Sequence, residues 1–588
     1  MGNILINATE VKNRGGWVLD TQFVLTMGTP YLLAHGLGTP VDDAKTTFCV
    51  SAPGIYTAYA YTFNWVAPWK PQYAPGIFEL HIDGEKIGDV YGNSGARWSW
   101  QKGGRVFLEE GSHELLLHDL TGFEGRVGMI FLTDEENPVL PEKPEEVRQF
   151  IYSCMGSKEP SDEGEYDLVV CGGGITGICA SLSAARNGVK VALVQDRPVV
   201  GGNNSSEVRV WLGGETHFEP FPGIGNITNE IEQAIATQHS SDNKPENYED
   251  GKKLGLLCAE KNITLYLENS VTDVVTENGV IKGVISWDFK NGKRRIIRGR
   301  LFADCTGDAT IGALAGADFE VTTNGHMGMT CMWYLEDTGK EETFPECPWA
   351  IDLSNADFPG RLNAERNNEK NEEGKLGCWY WECGMEHDPI AKMEYARDLC
   401  FRAMFGAVDA MKNKDGTYKN YKPGFCAYIA GKRESRRLFG DIIMTKSDVL
   451  KGVEYPDSCV PSTWNFDVHY PDRKYYAAFH EGDAFIAKDY HEPFKKPYFI
   501  PYRSLYSRNI SNLFMAGRNI SVSHDALGTA RVMRTCGMMG EVVGYAAKYC
   551  IRYSCDPREV YSGHVEEFIN ELKSIPSKKE NRLVANMP

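Results

Sequence analysis

The sequence contains no run of about 20 apolar residues, the length that a membrane-spanning helix requires. Positive charge is also scarce, because 62 Lys and Arg stand against 80 Asp and Glu, a formal net charge of −18. Nucleic acids and anionic membranes bind basic surfaces, so we expect neither as a partner. The 16 cysteines include no CxxC pair and no zinc-like cluster, which predicts buried, reduced thiols and no metal site.

The first residues also lack the charged segment and apolar core of a signal peptide. The expected location is cytoplasmic, or periplasmic if a leader has been removed. A length of 588 residues, with 42% hydrophobic and 24% charged residues, indicates several folded units and excludes a disordered chain.

Changes in pattern divide the chain into predicted segments. Residues 1–140 contain short, alternating, aromatic-rich runs separated by turn residues, which predicts an all-β sandwich. Residues 141–163 are rich in Pro and Glu and are predicted to be an unpacked linker. The rest is predicted to be a discontinuous α/β Rossmann-like fold with an inserted mixed α/β substrate domain. Its predicted parts are residues 164–320, the insertion at 321–496, residues 497–555, and a C-terminal extension at 556–588.

The first βα unit after the linker carries a GxGxxG sequence. Gly172, Gly174 and Gly177 follow an apolar run and open a helical pattern. Such glycines permit a tight turn, close approach of a pyrophosphate, and close helix packing, while the helix N-terminus favours an anion. The hexapeptide alone would also fit a plain packing turn, but its βαβ setting favours a dinucleotide site.

The group that binds the adenosine ribose is expected at the end of the second strand, where Asp or Glu is usual. Gln195 occupies that position and Asp196 follows it. Gln195 can serve both ribose hydroxyls, and Asp196 is either its substitute or a solvated turn residue.

Three separated motifs resemble the FAD-dependent oxidoreductases of the glutathione-reductase-type two-dinucleotide fold. They are the GxGxxG unit with its continuation GGNNSSEV (201–208), the segment ADCTGDATIGALAGA (303–317), and the region from NLFMAGR to the end of a long Gly/Ala/Met-rich helix (512–547). More narrowly, they resemble a bacterial FAD-oxidoreductase group associated with glycan breakdown. The resemblance covers residues 160–555 and implies FAD as the cofactor.

The resemblance also implies which residues contact FAD. Asp308 would contact the ribityl chain or a phosphate, and Gly517 with Arg518 would adjoin the flavin ring. Val271, on one predicted strand ITLYLENSVTDVV (263–275), would offer its backbone to adenine. The full implied set is Gly172, Gly174, Ile175, Thr176, Gly177, Gln195, Asp196, Arg197, Gly201, Gly202, Asn203, Ser205, Ser206, Val271, Thr306, Gly307, Asp308, Gly517, Arg518 and Arg531.

A helix from about residue 528 to 549 is expected to direct its N-terminus at the flavin's pyrimidine edge, where its dipole favours negative charge, or to be merely a tightly packed core helix. The GG turn is not followed by a Cys pair, and no second GxGxxG occurs in a βαβ setting. Disulfide reduction and a nicotinamide cofactor are therefore not expected, and the reductant is predicted to be an organic substrate.

Hydride transfer from a carbinol C–H to flavin N5 leaves a hydroxyl proton that a base must take, and His is the usual base near neutral pH. His524 is the first candidate for this base; the alternative is that it has a structural role or orients the cofactor. Asp467 and His469 lie two apart and share a face if extended. Arg433 and Arg436 lie in the charged run GKRESRRLFGD. These four are pocket candidates by the resemblance, although such clusters also occur as salt-bridged surface groups.

Arg209 and Trp211, just past the flavin-contacting loop, are further pocket candidates, and His217 is another. Residues 1–140 also hold five tryptophans, which either stack on sugar rings or fill the sandwich core: Trp17, Trp65, Trp69, Trp98 and Trp100. The phrases WVAPWK, WSWQKGG and LHDLTGFEGR resemble the carbohydrate-binding-like module of golvesin and xanthan lyases.

The sequence therefore predicts an FAD-dependent dehydrogenase or oxidase that oxidises a hydroxyl of a sugar or glycan fragment. His524 or His469 is the predicted base, oxygen or a separate carrier the final acceptor, and a small saccharide the expected partner. Two alternatives stay open: flavin-dependent net non-redox cleavage or isomerisation of a glycan, and a glycan-binding scaffold without activity.

Overall fold

The computed structural model describes residues 2–156, 159–236, 241–362, 368–472, 474–475, 483–492 and 496–578. Residues 579–588 of the predicted C-terminal extension, and parts of the predicted linker and insertion, lie outside the described residues.

The strands, numbered in chain order, are β1 (Asn3–Asn7), β2 (Val18–Asp20), β3 (Tyr31–Ala34), β4 (Ala44–Val50), β5 (Gly54–Thr62), β6 (Phe78–Ile82), β7 (Glu85–Lys86), β8 (Ser99–Leu108), β9 (Gly111–Asp119), β10 (Gly125–Val127), β11 (Met129–Thr133), β12 (Ser161–Cys171), β13 (Val191–Val194), β14 (Ile263–Tyr266), β15 (Asn269–Glu277), β16 (Val280–Asp288), β17 (Lys293–Asp304), β18 (Phe319–Val321), β19 (Met329–Thr330), β20 (Trp333–Asp337), β21 (Tyr421–Cys426), β22 (Gly431–Lys432), β23 (Arg436–Leu438), β24 (Ser458–Ser462), β25 (Phe466–Pro471), β26 (Ala487–Glu492), β27 (Tyr498–Pro501) and β28 (Leu513–Met515).

The α-helices are α1 (Val24–Met27), α2 (Pro144–Cys154), α3 (Ile175–Arg186), α4 (Asn226–Glu230), α5 (Asp250–Ala259), α6 (Thr310–Leu314), α7 (Glu369–Glu373), α8 (Met393–Asp409), α9 (Lys446–Lys451), α10 (His524–Ala530), α11 (Met533–Tyr553) and α12 (Pro557–Ser574).

Strands β1 to β11 form what we call the N-terminal module, residues 3–133. Its antiparallel sheets have the strand orders β1-β11-β5-β8, β4-β9-β6-β7 and β10-β3-β2. Every second residue of β4 is buried, as expected of a strand that has one face on the core and one face toward solvent. Asp83 and Gly84, both with positive φ, form the two-residue turn between β6 and β7 that such hairpins favour. The predicted N-terminal sheet region is confirmed.

The nucleotide-binding part is a seven-stranded sheet of order β14-β13-β12-β17-β16-β15, with β28 paired to β17. The strands β14, β13, β12, β17 and β28 are parallel, and β15 and β16 are antiparallel additions. Burial on both faces explains why β12 and β13 have continuous apolar runs. The carboxyl ends of parallel strands lie along one edge, which is where ligands bind in such sheets.

Helices α3 and α11 pack closely against each other in the main core. A Cβ at Gly540 would lie 2.2 Å from the Thr176 oxygen, and one at Gly544 would lie 2.4 Å from the Ser183 Cβ. The glycines of α11 therefore serve close helix packing. The inserted region contains small two-stranded sheets together with the buried helix α8.

Three local predictions are wrong. The predicted linker contains α2, whose Val147 and Ile151 are fully buried, because Pro144 starts a helix with one apolar face. The predicted single helix over 528–549 is two helices, α10 and α11, because Val532 is extended (φ −64°, ψ 139°). The run expected to form one strand around Val271 is two strands, β14 and β15.

Among the described residues, no helix combines the length and the apolar composition needed to cross a membrane.

Candidate functional site

A cavity of about 590 Å³ lies at the carboxyl edge of the parallel strands, within the size range of small-molecule sites. All three flavin-type motifs line it, together with the inserted region and the segment Thr21–Leu25 of the N-terminal module. The residues predicted for FAD that line this cavity are Gly172, Gly174, Ile175, Thr176, Gln195, Asp196, Arg197, Gly201, Gly202, Asn203, Val271, Thr306, Gly307, Asp308, Gly517, Arg518 and Arg531. Five of the pocket candidates also line it: Arg209, Trp211, Arg433, Asp467 and His469.

Two glycine turns meet at the N-terminus of α3. Gly201 N–H donates to the Gly173 oxygen at 2.8 Å, and Gly174 and Gly201 form an isolated parallel bridge. The N-cap residue of α3 is Gly174, which has no side chain to cap the helix. A Cβ at Gly174 would meet nothing closer than 3.9 Å, so this wall of the cavity is bare backbone. Unpaired helix N–H groups on such a wall suit a pyrophosphate.

The second and third motifs are joined by buried polar groups. Asp304, at the end of β17, accepts hydrogen bonds from Thr306 and Gly312, and the Asn519 amide donates to it at 3.1 Å. One turn further, Arg518 Nη2 donates to Asp308 Oδ1 at 2.5 Å, and Lys432 Nζ pairs with Asp308 Oδ2. Burial alone would raise the pKa of Asp308, but the charges of Lys432 and Arg518 hold that pKa well below its usual range.

Gln195 lines the cavity, and each end of its amide also binds a backbone group. Its Oε1 accepts from Gly173 N–H at 2.7 Å, and its Nε2 donates to the Val199 oxygen at 3.1 Å. The side chain therefore holds the two glycine turns together. Asp196 lies beside it with a partly exposed side chain, 3.9 Å from Arg197 Nε.

The N-terminus of α11 faces the cavity. Val532, Met533 and Cys536 line the cavity, and Val532 provides no side-chain cap. Arg531 lies between the end of α10 at Ala530 and the start of α11 at Met533. Its Nη2 donates to Asp467 Oδ2 at 3.2 Å.

A chain of charged groups follows from this arginine into the inserted region. His469 Nε2 lies 2.9 Å from Asp467 Oδ1, and His469 Nδ1 lies 2.6 Å from Glu382 Oε2. Arg433 Nη1 lies 3.3 Å from the same Glu382 oxygen. The imidazole is thus held between two carboxylates, each of which has its own arginine.

Both carboxylates are ionised at neutral pH. Burial raises the pKa of Glu382, but the neighbouring Arg433 and His469 outweigh it and lower that pKa to about 2. Burial also raises the pKa of Asp467, and the hydrogen bond from His469 with the charge of Arg531 holds it well below its usual range. The His469 ring is therefore flanked by a negative charge at each of its nitrogens.

Three half-buried indoles line the cavity beside this cluster: Trp211, Trp379 and Trp464. The rings of Trp379 and His469 lie with centroids 5.2 Å apart. The Trp379 oxygen and the Thr330 hydroxyl both accept hydrogen bonds from Arg433 (2.5 and 2.8 Å). Apolar ring faces next to fixed donors and acceptors are the usual make-up of a selective organic-ligand pocket.

Several predicted residues do not line the cavity. His524 starts α10 and binds Glu434 through Nδ1 at 2.9 Å, because α10 turns it toward the Glu434–Arg437 ion pair; its prediction as the base near the ring is wrong. Arg436 packs over the Phe319 ring, and its Nη1 donates to the Asp308 backbone oxygen at 3.2 Å, so it lies next to the cavity wall without lining the cavity. His217 Nδ1 lies 2.7 Å from the Pro222 oxygen, outside the cavity.

Three predicted FAD residues support the turns from behind the cavity wall. A Cβ at Gly177 would lie 1.8 Å from the Gly172 oxygen, so this glycine serves packing. The Ser205 hydroxyl donates to the Gly202 oxygen at 2.7 Å, and Ser206 N–H donates to the Asp250 carboxylate. None of these three residues lines the cavity, so direct contact with a cavity ligand is not expected of them.

The tryptophans of the N-terminal module face the rest of the chain or the module core. Trp17 and Trp65 are buried, and Trp69 Nε1 donates to the Tyr395 hydroxyl at 2.8 Å. Trp98 Nε1 donates to Glu394 at 2.9 Å, and Trp100 Nε1 donates to the Pro141 oxygen at 2.9 Å. Of the two alternatives, packing within the chain fits these tryptophans, because each ring lies against another aromatic ring of the protein.

Sequence reasoning missed several cavity residues. Glu382, behind the wall, and Trp379 lie in an irregular segment without a recognisable motif, and Lys432 is adjacent to the predicted Arg433. Trp464 lies in the same TWNFDVHYP run as Asp467 and His469, and that proximity is the signal that could have found it. Thr21 and Gln22 come from a module that was expected to be separate.

The residues present fit FAD. Bare glycine backbone lies next to a helix N-terminus, an acidic residue follows the second strand, and cationic side chains surround the middle of the cavity. Arg518 Nε and Arg531 Nε are buried and have no hydrogen-bond partner among the described residues. Such orphaned donors in a cavity wall call for a ligand with acceptor groups.

Comparison with known proteins gives a family. The sequence model of the family described as FAD dependent oxidoreductase matches residues 167–572. The aerobic glycerol-3-phosphate dehydrogenase of Staphylococcus aureus (strain USA300) is 42% identical over 57 residues, which is 10% of this chain and 10% of the dehydrogenase.

Two solved structures share parts of the shape. E. coli quinol fumarate reductase FrdA is 12% identical, with 69% of this chain and 74% of that chain covered and a TM-score of 0.31. A family 35 carbohydrate binding module from Clostridium thermocellum is 13% identical, with 23% of this chain and 100% of that chain covered and a TM-score of 0.19. At these scores neither structure supports a statement about ligands.

Proposed function

The chain belongs to the FAD dependent oxidoreductase family, and from that membership we propose that it oxidises a hydroxyl group of a sugar or glycan fragment to a carbonyl. Bound FAD supplies the two-electron oxidising capacity that this conversion requires. The other requirements fall on the chain itself: a base for the hydroxyl proton, a surface that orients the substrate, and a wall that excludes water.

The observation that carries the proposal is the shared cavity wall of three tryptophans and the Asp467–His469 pair. A sugar ring has apolar C–H faces and a rim of hydroxyls. The indoles of Trp211, Trp379 and Trp464 suit the faces, and Arg433, Asp467 and His469 suit the rim. The saccharide is accordingly proposed to bind in this cavity and not on the N-terminal module.

His469 is the proposed base, acting through Nε2. Glu382 holds Nδ1 at 2.6 Å and so fixes the tautomer and the ring orientation. Because both ring nitrogens face ionised carboxylates, the contacts seen here are those of the ring after it has taken the proton. Before the transfer the Nε2 lone pair accepts the hydroxyl proton, and the N–H that forms then donates to Asp467 Oδ1 at 2.9 Å. Arg531 and Arg433 hold the two carboxylates in place, so the base is oriented before substrate arrives.

The test is anaerobic mixing of the FAD-loaded protein with a panel of neutral and acidic saccharides. The proposal predicts that at least one sugar bleaches the visible flavin absorption and yields a product lighter by two hydrogens. No bleaching by any sugar, together with bleaching by a small non-sugar alcohol or acid, would overturn the saccharide assignment. Bleaching that recovers without oxygen, with product mass unchanged, would instead indicate a net non-redox reaction.

A further inference from the structure

The N-terminal module reaches into the cofactor cavity through one short segment. Strand β2 ends at Asp20, and Thr21, Gln22, Val24 and Leu25 then line the same cavity as the glycine turns. The side chain of Gln22 joins the module to the inserted region. Its Nε2 donates to the Tyr428 oxygen at 3.0 Å, and its Oε1 accepts from Ala430 N–H at 2.9 Å.

The segment lies at the ribose side of the cavity. Asp196 follows β13, the position that binds the adenosine ribose in folds of this kind. Partial burial raises the pKa of Asp196 against the opposing charge of Arg197, and the carboxylates of Asp308 and Asp20 act in the same direction as the burial. Helix α1 also contacts β15, whose Ser270 and Val271 line the cavity beside it.

The segment is rigidly anchored by buried ion pairs. Asp20 Oδ2 accepts from Arg397 Nη1 at 2.7 Å, and both side chains are fully buried. Arg126 of the module donates through two nitrogens to the Asp398 carboxylate, each at 3.1 Å. Breaking such pairs would leave buried charges unpaired, so the module and α8 hold a fixed relative position.

Thr21 carries an unsatisfied group at this place. Its side chain is 6% exposed, and its hydroxyl is buried with no hydrogen-bond partner among the described residues. A buried hydroxyl without a partner costs free energy that a ligand can recover. Rotation about χ1 exchanges the hydroxyl with the methyl group, so the hydroxyl can be turned to a ligand in the cavity that this residue lines.

We infer that the N-terminal module is part of the cofactor site: Thr21 and Gln22 form the wall around the adenosine half of FAD, and the Thr21 hydroxyl hydrogen-bonds to it. The module then contributes to cofactor affinity and is more than a separate glycan-binding unit. This inference does not depend on the identity of the substrate.

The test is calorimetric titration of the full chain, freed of cofactor, with FAD, ADP and FMN as separate probes. Thr21→Val keeps the shape and removes the hydroxyl; it should raise the Kd for FAD and for ADP about five- to tenfold and leave FMN binding unchanged. Gln22→Ala should weaken ADP binding at least as much, because the wall formed with Tyr428 and Ala430 loosens.

Two matched controls come from the same module. Thr26→Val lies on the exposed side of α1, where the hydroxyl donates only to the Phe23 oxygen, and Gln101→Ala removes bonds that stay within the module. Both should bind ADP like the parent chain. ADP binding unchanged in Thr21→Val and Gln22→Ala would overturn the inference, as would an equal loss of ADP and FMN binding.

Discussion

Replacing Glu382 by Gln tests the charged chain around His469 in depth. The pKa of Glu382 is lowered from 4.5 to about 2, because the charges of Arg433 and His469 outweigh its burial. Gln resembles the protonated side chain and cannot make these charged interactions. A depression of this size corresponds to about 3 kcal/mol of stability at neutral pH.

The pH dependence has a definite sign. A carboxylate with a lowered pKa contributes its stability above the unfolded value, 4.5, and loses it as the pH falls toward 2. The parent chain should therefore be more stable than Glu382→Gln by about 3 kcal/mol at pH 7 and by about 2 kcal/mol at pH 3.5. An effect of the substitution that does not involve ionisation of Glu382 would leave the stability difference between the two proteins the same at both pH values.

The assay is differential scanning calorimetry of the two proteins, both loaded with FAD, across pH 7.5 to 3.5. The matched control is Glu372→Gln, another buried glutamate, which lies outside the cavity wall. We expect the melting temperature of Glu382→Gln to be lower at pH 7 and the gap to narrow on acidification. A gap that is absent at pH 7, or that widens toward pH 3.5, would refute the reasoning.

Three further outcomes follow from the same structure. His469→Gln should keep FAD and lower kcat/KM by about 10²- to 10⁴-fold, measured by stopped-flow bleaching, whereas His524→Gln should stay within about threefold of the parent. Trp464→Ala should raise KM more than it lowers kcat in steady-state kinetics, because the indole is proposed to bind the ring; a pure kcat loss would count against that role. Burial raises the pKa of Glu541 to about 7, so the parent chain should lose about 3 kcal/mol of stability as pH rises from 4.5 through 7, and Glu541→Gln, followed by calorimetry, should lack that loss.

The cofactor half of the site could be predicted because its signals are local. Gly172 and Gly174 sit between a strand and a helix, and no longer-range information is needed to place a phosphate there. Asp467 and His469 were paired for the same reason, since residues two apart in a strand share a face. Both residues lie on strand β25, and both line the cavity.

What could not be predicted depends on long-range packing. Glu382 contacts His469 across 87 positions of sequence, and no periodicity links the two. His524 contacts Glu434 across 90 positions of sequence, and the helix break at Val532 occurs where no Pro or Gly announces it. The position of Gln195 predicts a ribose ligand, but its amide also binds Gly173 N–H and the Val199 oxygen, two contacts that no local pattern announces.

The most direct measurement of the central claim is FAD binding by Gly174→Ala. The added methyl group would meet no atom of the chain closer than 3.9 Å, and Gly174 has φ −68°, which alanine adopts without strain. The fold should therefore be retained, as checked by circular dichroism. The methyl group would project into the space assigned to the pyrophosphate, so we expect the Kd for FAD to rise at least about tenfold. A folded Gly174→Ala protein that binds FAD as tightly as the parent chain would contradict the assignment of this cavity to FAD.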